Sequence, residues 1–261
     1  MAFRGIIFDF DGTLANTTPL ILATFHQTLG HFYPELTITD QDIIHTFGMP
    51  LREGLGQLVG LPATGAAIEK IVDYYRQYNY AWHDKMIRSF PGVKEGLQQL
   101  KALQVPMIVV TSKLHDTCLR GLRCLDLDPY IKEIVGYEQC TDHKPAPAPM
   151  LVGCKKLRLS PEEVLTVGDS PFDMVSGTRA GCKTVKVAWS SFTQDFFDQY
   201  GTPDYVIQNI GELARIIKNR FYNKCWGLVD VYLHKTPYCH IKWTYHSVGY
   251  LSSTTTKKKG E

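Results

Sequence analysis

Short apolar runs rich in β-branched residues recur along the 261-residue chain, and helix-like segments separate them. Runs of this length are typical of strands buried inside a parallel sheet. Their alternation with helices predicts βαβ units, and therefore an α/β fold with a parallel sheet and helices on both faces. The predicted strands are 5–8, 105–110, 164–167, 184–188 and 205–207. The predicted helices are 93–103, 115–125, 149–157 and 172–180, and Ser160-Pro161 is typical of a further helix start.

A long segment with helical periodicity, residues 17–85, follows the first strand without any strand signal inside it. We expect it to form an inserted helical bundle that acts as a lid over the site. The alternative is a bundle packed permanently on the sheet. The predicted core domain then comprises residues 1–16 and 86–218. Residues 219–261 are rich in aromatic side chains without clear periodicity, and we expect a C-terminal extension that is not part of the fold.

The composition excludes several classes of function. A formal net charge of +2 is too small to indicate nucleic acid or an anionic membrane as a partner. No apolar run approaches the roughly 20 residues that a membrane helix needs. The N-terminus lacks the apolar run of a signal peptide, so we expect a cytoplasmic protein. We expect it to be a monomer or a homodimer. The seven cysteines include no CxxC pair, which favours free thiols in that compartment.

Two aspartates, Asp9 and Asp11, stand at the end of the first predicted strand and precede a Gly12-Thr13 turn. Alternation along an extended chain points both carboxylates the same way. Neighbouring carboxylates repel each other, so they need a cation between them or a raised pKa on one of them. Both outcomes suit chemistry on phosphate, which uses a nucleophile, an acid or base and a magnesium ion in one place.

Three later segments carry polar residues, and we expect each segment to fall at the C-terminal end of a strand, where open α/β sheets bind ligands. Thr111 and Ser112 could donate hydrogen bonds to a phosphoryl oxygen, although a hydroxyl before a helix is often only a cap. Lys144, in a proline-rich loop, could offset an anionic phosphate, or could simply be a solvated surface lysine. Asp169 and Asp173 suit a hard cation, and Asp173 alone could be a helix cap.

The order and spacing of these motifs resemble those of the haloacid dehalogenase superfamily of phosphatases. The matching pieces are Asp9-x-Asp11-Gly12-Thr13, Thr111, Lys144-Pro145 and Gly168-Asp169-Ser170-x-x-Asp173. The resemblance covers residues 1–215. It implies a Rossmann-like core. The helical insert resembles the four-helix cap of that superfamily.

The resemblance also implies roles for single residues. Asp9 would attack phosphorus and form an aspartyl-phosphate, while Asp11 would protonate the leaving oxygen and then activate water. Mg²⁺ would be held by the Asp9 carboxylate, the Asp11 carbonyl and Asp169, with Asp173 behind them. The groups expected to hold the phosphoryl oxygens are Thr111, Lys144 and the backbone amides near Gly12 and Ser112.

The insert has a narrower resemblance, to bacterial inorganic pyrophosphatases of the phosphoglycolate phosphatase-like group. It rests on residues 25–34, 75–79 and 83–84 of the insert and on 90–93 and 187–189 outside it. Pyrophosphate is therefore the expected substrate. Arg52 could contact its second phosphate, but could equally bind the carboxylate of 2-phosphoglycolate or lie on the surface.

Several alternatives stay open at this point. They are a phosphoglycolate or general small-phosphomonoester phosphatase, a phosphomutase, and a non-catalytic binding protein on the same scaffold. A dehalogenase is disfavoured because Asp11 and the Asp169/Asp173 pair are features of metal-dependent phosphatases. A binding protein would be expected to lack Asp9 or Asp11, and both are present.

Overall fold

The computed structural model describes the backbone of residues 3–225 and the side chains of residues 3–218. The strands are β1 (Gly5–Phe8), β2 (Ala15–Asn16), β3 (Arg88–Ser89), β4 (Met107–Val110), β5 (Glu133–Val135), β6 (Val164–Gly168), β7 (Lys183–Val187) and β8 (Tyr205–Ile207). Six of them form one sheet in the order β5-β4-β1-β6-β7-β8, and every neighbouring pair in it is parallel. The remaining two, β2 and β3, pair antiparallel.

Helices cover both faces of the six-stranded sheet, as the sequence predicted. Ile6 and Phe8 of β1 enter one apolar cluster, whereas Ile7 between them enters a second. Because side chains of a strand alternate between faces, the two clusters lie on opposite sides of the sheet. The helices of this part are α5 (Val93–Ala102), α6 (His115–Cys124), α7 (Ala148–Leu157), α8 (Pro171–Ala180), α9 (Gln194–Tyr200) and α10 (Glu212–Cys225).

All the regular secondary structure of the insert that follows β2 is helical. It contains α1 (Thr18–Phe32), α2 (Asp40–Ile44), α3 (Leu51–Val59) and α4 (Ala66–Met86). These helices pack around a separate apolar cluster to which α1 contributes Phe25 and Leu29 and α4 contributes Ile68 and Val72. Each pair is four residues apart, which places its members on one helix face. The segments that lead from the core into the insert and back lie next to each other, because Asn16 of β2 pairs with Arg88 of β3.

Four details differ from the sequence-based expectation. Strand β5 and helices α9 and α10 were not predicted, and the strand predicted from residue 105 begins at Met107. The helix start predicted at Ser160 leads only to a single 3-10 turn, Pro161–Glu163, because the buried strand β6 begins at the next residue. Helix α10 continues past residue 218, where the core was predicted to end. Residues 226–261, most of the predicted extension, lie outside the described part of the chain.

Within residues 3–225, no helix combines the length and the apolar character that crossing a membrane requires.

Candidate active site

A buried lysine, Lys144, joins two of the predicted carboxylates. Its ammonium group donates to Asp9 Oδ1 at 2.9 Å and to Asp173 Oδ1 at 2.6 Å. A third hydrogen bond, of 2.8 Å, goes to the carbonyl of Val110 at the end of β4. Three acceptors use all three protons of the ammonium, and Lys144 is only 4% exposed. The side chain is therefore a fixed charge inside the site, not a solvated surface lysine.

Asp169 completes a cluster of three carboxylates with Asp9 and Asp173. One oxygen from each lies within 4.8 Å of the other two. The Thr13 hydroxyl donates to Asp169 Oδ1 at 3.2 Å. Gly12 has a φ of +75°, and a Cβ there would collide with the Asp169 carboxylate. The turn after β1 therefore requires glycine, because it must pass close to Asp169 in a left-handed conformation.

Crowding and burial change the proton affinities of this cluster. Burial is the main cause that raises the pKa of Asp9 to about 7; Lys144 opposes the rise, and Asp173 and Asp11 add to it. Burial, followed by the charges of Asp9 and Asp173, also raises the pKa of Asp169. Burial would lower the pKa of Lys144, but Asp173 and Asp9 outweigh that effect and raise it. The lysine thus stays protonated, whereas its charge is too little to offset the cost of burying the anionic forms of Asp9 and Asp169.

The second aspartate of the pair, Asp11, has a partner of its own. Lys113 Nζ lies 2.9 Å from Asp11 Oδ1 and 3.0 Å from Asp11 Oδ2. Lys113 was not among the predicted site residues. A signal was available, because Lys113 follows Thr111 by two positions, and an extended chain would point both side chains the same way.

The remaining predicted groups occupy the ends of β1, β4 and β6. Thr111 is 6% exposed, and its hydroxyl oxygen accepts from the Lys113 amide at 3.2 Å, so it does not cap α6. The Ser112 hydroxyl donates to the carbonyl of Gly48, in the insert, at 2.8 Å. The Gly12 amide donates to the Ala15 carbonyl at 2.8 Å, which commits that amide within the turn. Asp173 makes two kinds of contact: it completes the capping box of α8 with Ser170, and it accepts a hydrogen bond from Lys144.

A cavity of about 360 Å³ opens above these groups, between the strand ends and the insert. Asp9, Asp11, Thr111 and Asp169 belong to its core wall, and Phe25 belongs to its insert wall. The cavity also contains Arg52, but one edge of its guanidinium is engaged in a bidentate ion pair. Arg52 Nε and Nη2 donate to the two carboxylate oxygens of Glu69 at 2.8 and 2.7 Å. Arg52 therefore lines the cavity with its charge already paired.

Comparison with known proteins identifies the family of this chain. Residues 6–187 match the family model described as haloacid dehalogenase-like hydrolase. The chain belongs to this hydrolase family. It is 32% identical over 217 residues to "Pyrophosphatase PpaX" of Bacillus mycoides (strain KBAB4), an alignment that covers 83% of this chain and 98% of the relative.

Solved structures of the family have the same fold. A Bacteroides fragilis protein assigned to the haloacid dehalogenase-like hydrolases superposes with a TM-score of 0.73 at 30% identity, over 81% of this chain and 99% of the other. A predicted phosphoglycolate phosphatase from Haemophilus somnus 129pt gives a TM-score of 0.68 at 25% identity, over 82% and 97%. These comparisons confirm the predicted α/β core with a helical cap. They also confirm that the chain is a hydrolase of the phosphatase type.

Proposed function

We propose that this hydrolase cleaves inorganic pyrophosphate through an aspartyl-phosphate on Asp9. The observation that carries the proposal is the position of Asp9: its carboxylate borders the cavity while one of its oxygens is held by Lys144 at 2.9 Å. A carboxylate held in this way can attack phosphorus without first being reoriented. The identity to a pyrophosphatase supports the choice of substrate.

The proposed reaction has two steps. The Asp9 oxygen forms a bond to phosphorus as the bond to the leaving oxygen breaks, and Asp11, in its protonated form, gives that oxygen its proton and becomes a carboxylate. Asp11 then takes a proton from a water molecule, which attacks phosphorus and releases Asp9. Thr111 lines the cavity and would donate its hydroxyl proton to a phosphoryl oxygen, with the amide of Ser112 beside it. Lys144, whose three protons are already taken, would offset the phosphoryl charge and hold Asp9 in place. Placement and charge neutralisation are the main requirements of such a transfer.

The donor set fits a divalent cation. Four carboxylates, those of Asp9, Asp11, Asp169 and Asp173, face the two ammonium groups of Lys113 and Lys144, which leaves two formal negative charges. All the side-chain donors are oxygens, the ligands that Mg²⁺ prefers. Asp9 and Asp169 would hold the ion with the Asp11 carbonyl, and Asp173 would support them. When bound, the ion would neutralise phosphoryl charge that otherwise repels Asp9.

Removal of divalent ions should stop turnover, and Mg²⁺ should restore it. We expect EDTA to abolish phosphate release. We also expect Mg²⁺ to raise the melting temperature of the EDTA-treated protein, because a ligand that binds only the folded state stabilises it. Asp169→Asn should lose this shift in melting temperature, whereas the surface variant Asp73→Asn should keep it. Activity in metal-free buffer would contradict the assignment.

Substrate choice can be tested directly. We expect kcat/KM for pyrophosphate to exceed that for 2-phosphoglycolate and glucose 6-phosphate by more than about tenfold, which is about 1.4 kcal/mol of transition-state discrimination. Rates measured with Asp9→Asn supply the background for each substrate. A preference for 2-phosphoglycolate would favour the second candidate function, phosphoglycolate phosphatase, which the Haemophilus somnus structure suggests by its description. A preference below tenfold would make the enzyme a general small-phosphomonoester phosphatase.

A further inference from the structure

Three cationic side chains line the cavity, and two of them are already paired. Lys113 binds both oxygens of Asp11, and Arg52 binds both oxygens of Glu69. Arg76, on α4, is the third. It makes no hydrogen bond or ion pair with any residue in the part of the chain whose side chains are described. Arg76 as a whole is partly buried, and no hydrogen bond to a described residue engages its guanidinium.

One acidic residue near Arg76, Glu69, is already paired. Glu69 lies seven residues before Arg76 on α4, close to two helical turns away and therefore near the same face. The Arg52 hydrogen bonds are the main reason why the pKa of Glu69 is lowered, and the charge of Arg76 makes a smaller contribution. The bidentate pair uses both carboxylate oxygens, so Arg76 stays available for a ligand.

The position of Arg76 indicates which part of a substrate it would meet. Thr111, which would hold the transferred phosphoryl, directly follows β4, and the Lys144 ammonium group reaches the end of the same strand, where it binds the Val110 carbonyl. Arg76 belongs to the insert and borders the same cavity. A substrate whose phosphorus lies at Asp9 would therefore extend its leaving group into the cavity space that Arg76 also borders.

We propose that Arg76 is a specificity-determining residue that binds an anionic group on the leaving portion of the substrate. The inference rests on the proposed phosphohydrolase function and deepens it. Guanidinium pairs in a bidentate manner with both phosphate and carboxylate. The leaving phosphate of pyrophosphate and the carboxylate of 2-phosphoglycolate share this chemistry, and an uncharged leaving group does not.

The test compares Arg76→Gln and Arg76→Lys on three substrates: pyrophosphate, 2-phosphoglycolate and p-nitrophenyl phosphate, whose aryl group carries no second anion. For Arg76→Gln we expect kcat/KM to fall about 100-fold on the preferred anionic substrate, equivalent to about 2.7 kcal/mol. The fall on p-nitrophenyl phosphate should be at least tenfold smaller. Arg76→Lys should recover part of the loss, because it keeps the charge and loses the bidentate geometry.

Lys70→Gln is the matched control, because it removes one positive charge from an exposed position on the same helix. It should leave all three rates near wild type. Whichever of pyrophosphate and 2-phosphoglycolate shows the larger fall in kcat/KM for Arg76→Gln carries the anionic group that Arg76 binds. If kcat/KM for Arg76→Gln fell equally on all three substrates, or did not fall on either anionic one, the inference about Arg76 would be overturned while the proposed function would stand. If the wild type hydrolysed none of the three, the proposed function would fail and the inference with it.

Discussion

Replacement of Asp9 by asparagine is expected to abolish turnover, with kcat reduced by at least about 10⁴-fold, as for other enzymes that lose their nucleophile. Asparagine has nearly the shape of aspartate, and its amide oxygen can still accept the Lys144 hydrogen bond. It lacks the anionic oxygen that forms the bond to phosphorus. The loss should therefore appear in kcat for every phosphorylated substrate.

The measurement is phosphate release under saturating substrate and Mg²⁺. A melting curve of the same preparation separates catalysis from folding, since the variant should melt within a few degrees of wild type. Asp73→Asn provides a matched control, because Asp73 is exposed on α4 and makes no ion pair or hydrogen bond with a residue whose side chain is described. Turnover of Asp9→Asn comparable to wild type would refute the nucleophile assignment.

The central strands were predictable from sequence because each is a continuous apolar run. All residues of β1, β4 and β6 are buried. Strand β5 escaped prediction because it is an edge strand of three residues whose first, Glu133, is exposed. A strand this short, with one charged position, has no periodicity that distinguishes it from a loop.

The parts of the site that follow parallel strands were also predictable. Parallel strands end at the same edge of a sheet, so residues just after β1 and β6 meet there, as Asp9 and Asp169 do. Side-chain pairings that depend on tertiary packing were not predictable from the sequence. Lys113 lies 102 residues from Asp11 in sequence, and only the completed fold joins them. Similarly, the sequence placed Arg52 near the site but could not show that α4 supplies Glu69 to neutralise it.

Replacement of Lys144 by methionine should produce the largest combined loss, of activity and of stability. Methionine has a similar length and no charge, so Asp9 and Asp173 would face each other and Asp169 without a cation. Removal of one partner from a buried ion pair typically costs about 3–5 kcal/mol, because the other charge is left uncompensated. We also expect kcat to fall by about 10²–10³-fold, as for the loss of one preorganised electrostatic group.

The stability change can be measured by urea unfolding in EDTA, with Lys156→Met as the matched control. Lys156 pairs with Glu133 at 3.4 Å, but both side chains are substantially exposed. Such surface pairs contribute only about 0–1 kcal/mol. Mg²⁺ should recover part of the stability of Lys144→Met, because the ion would offset the carboxylate charges, whereas the loss of activity should persist. A free energy of unfolding in EDTA that fell no further for Lys144→Met than for Lys156→Met would show that Lys144 does not hold the carboxylates together.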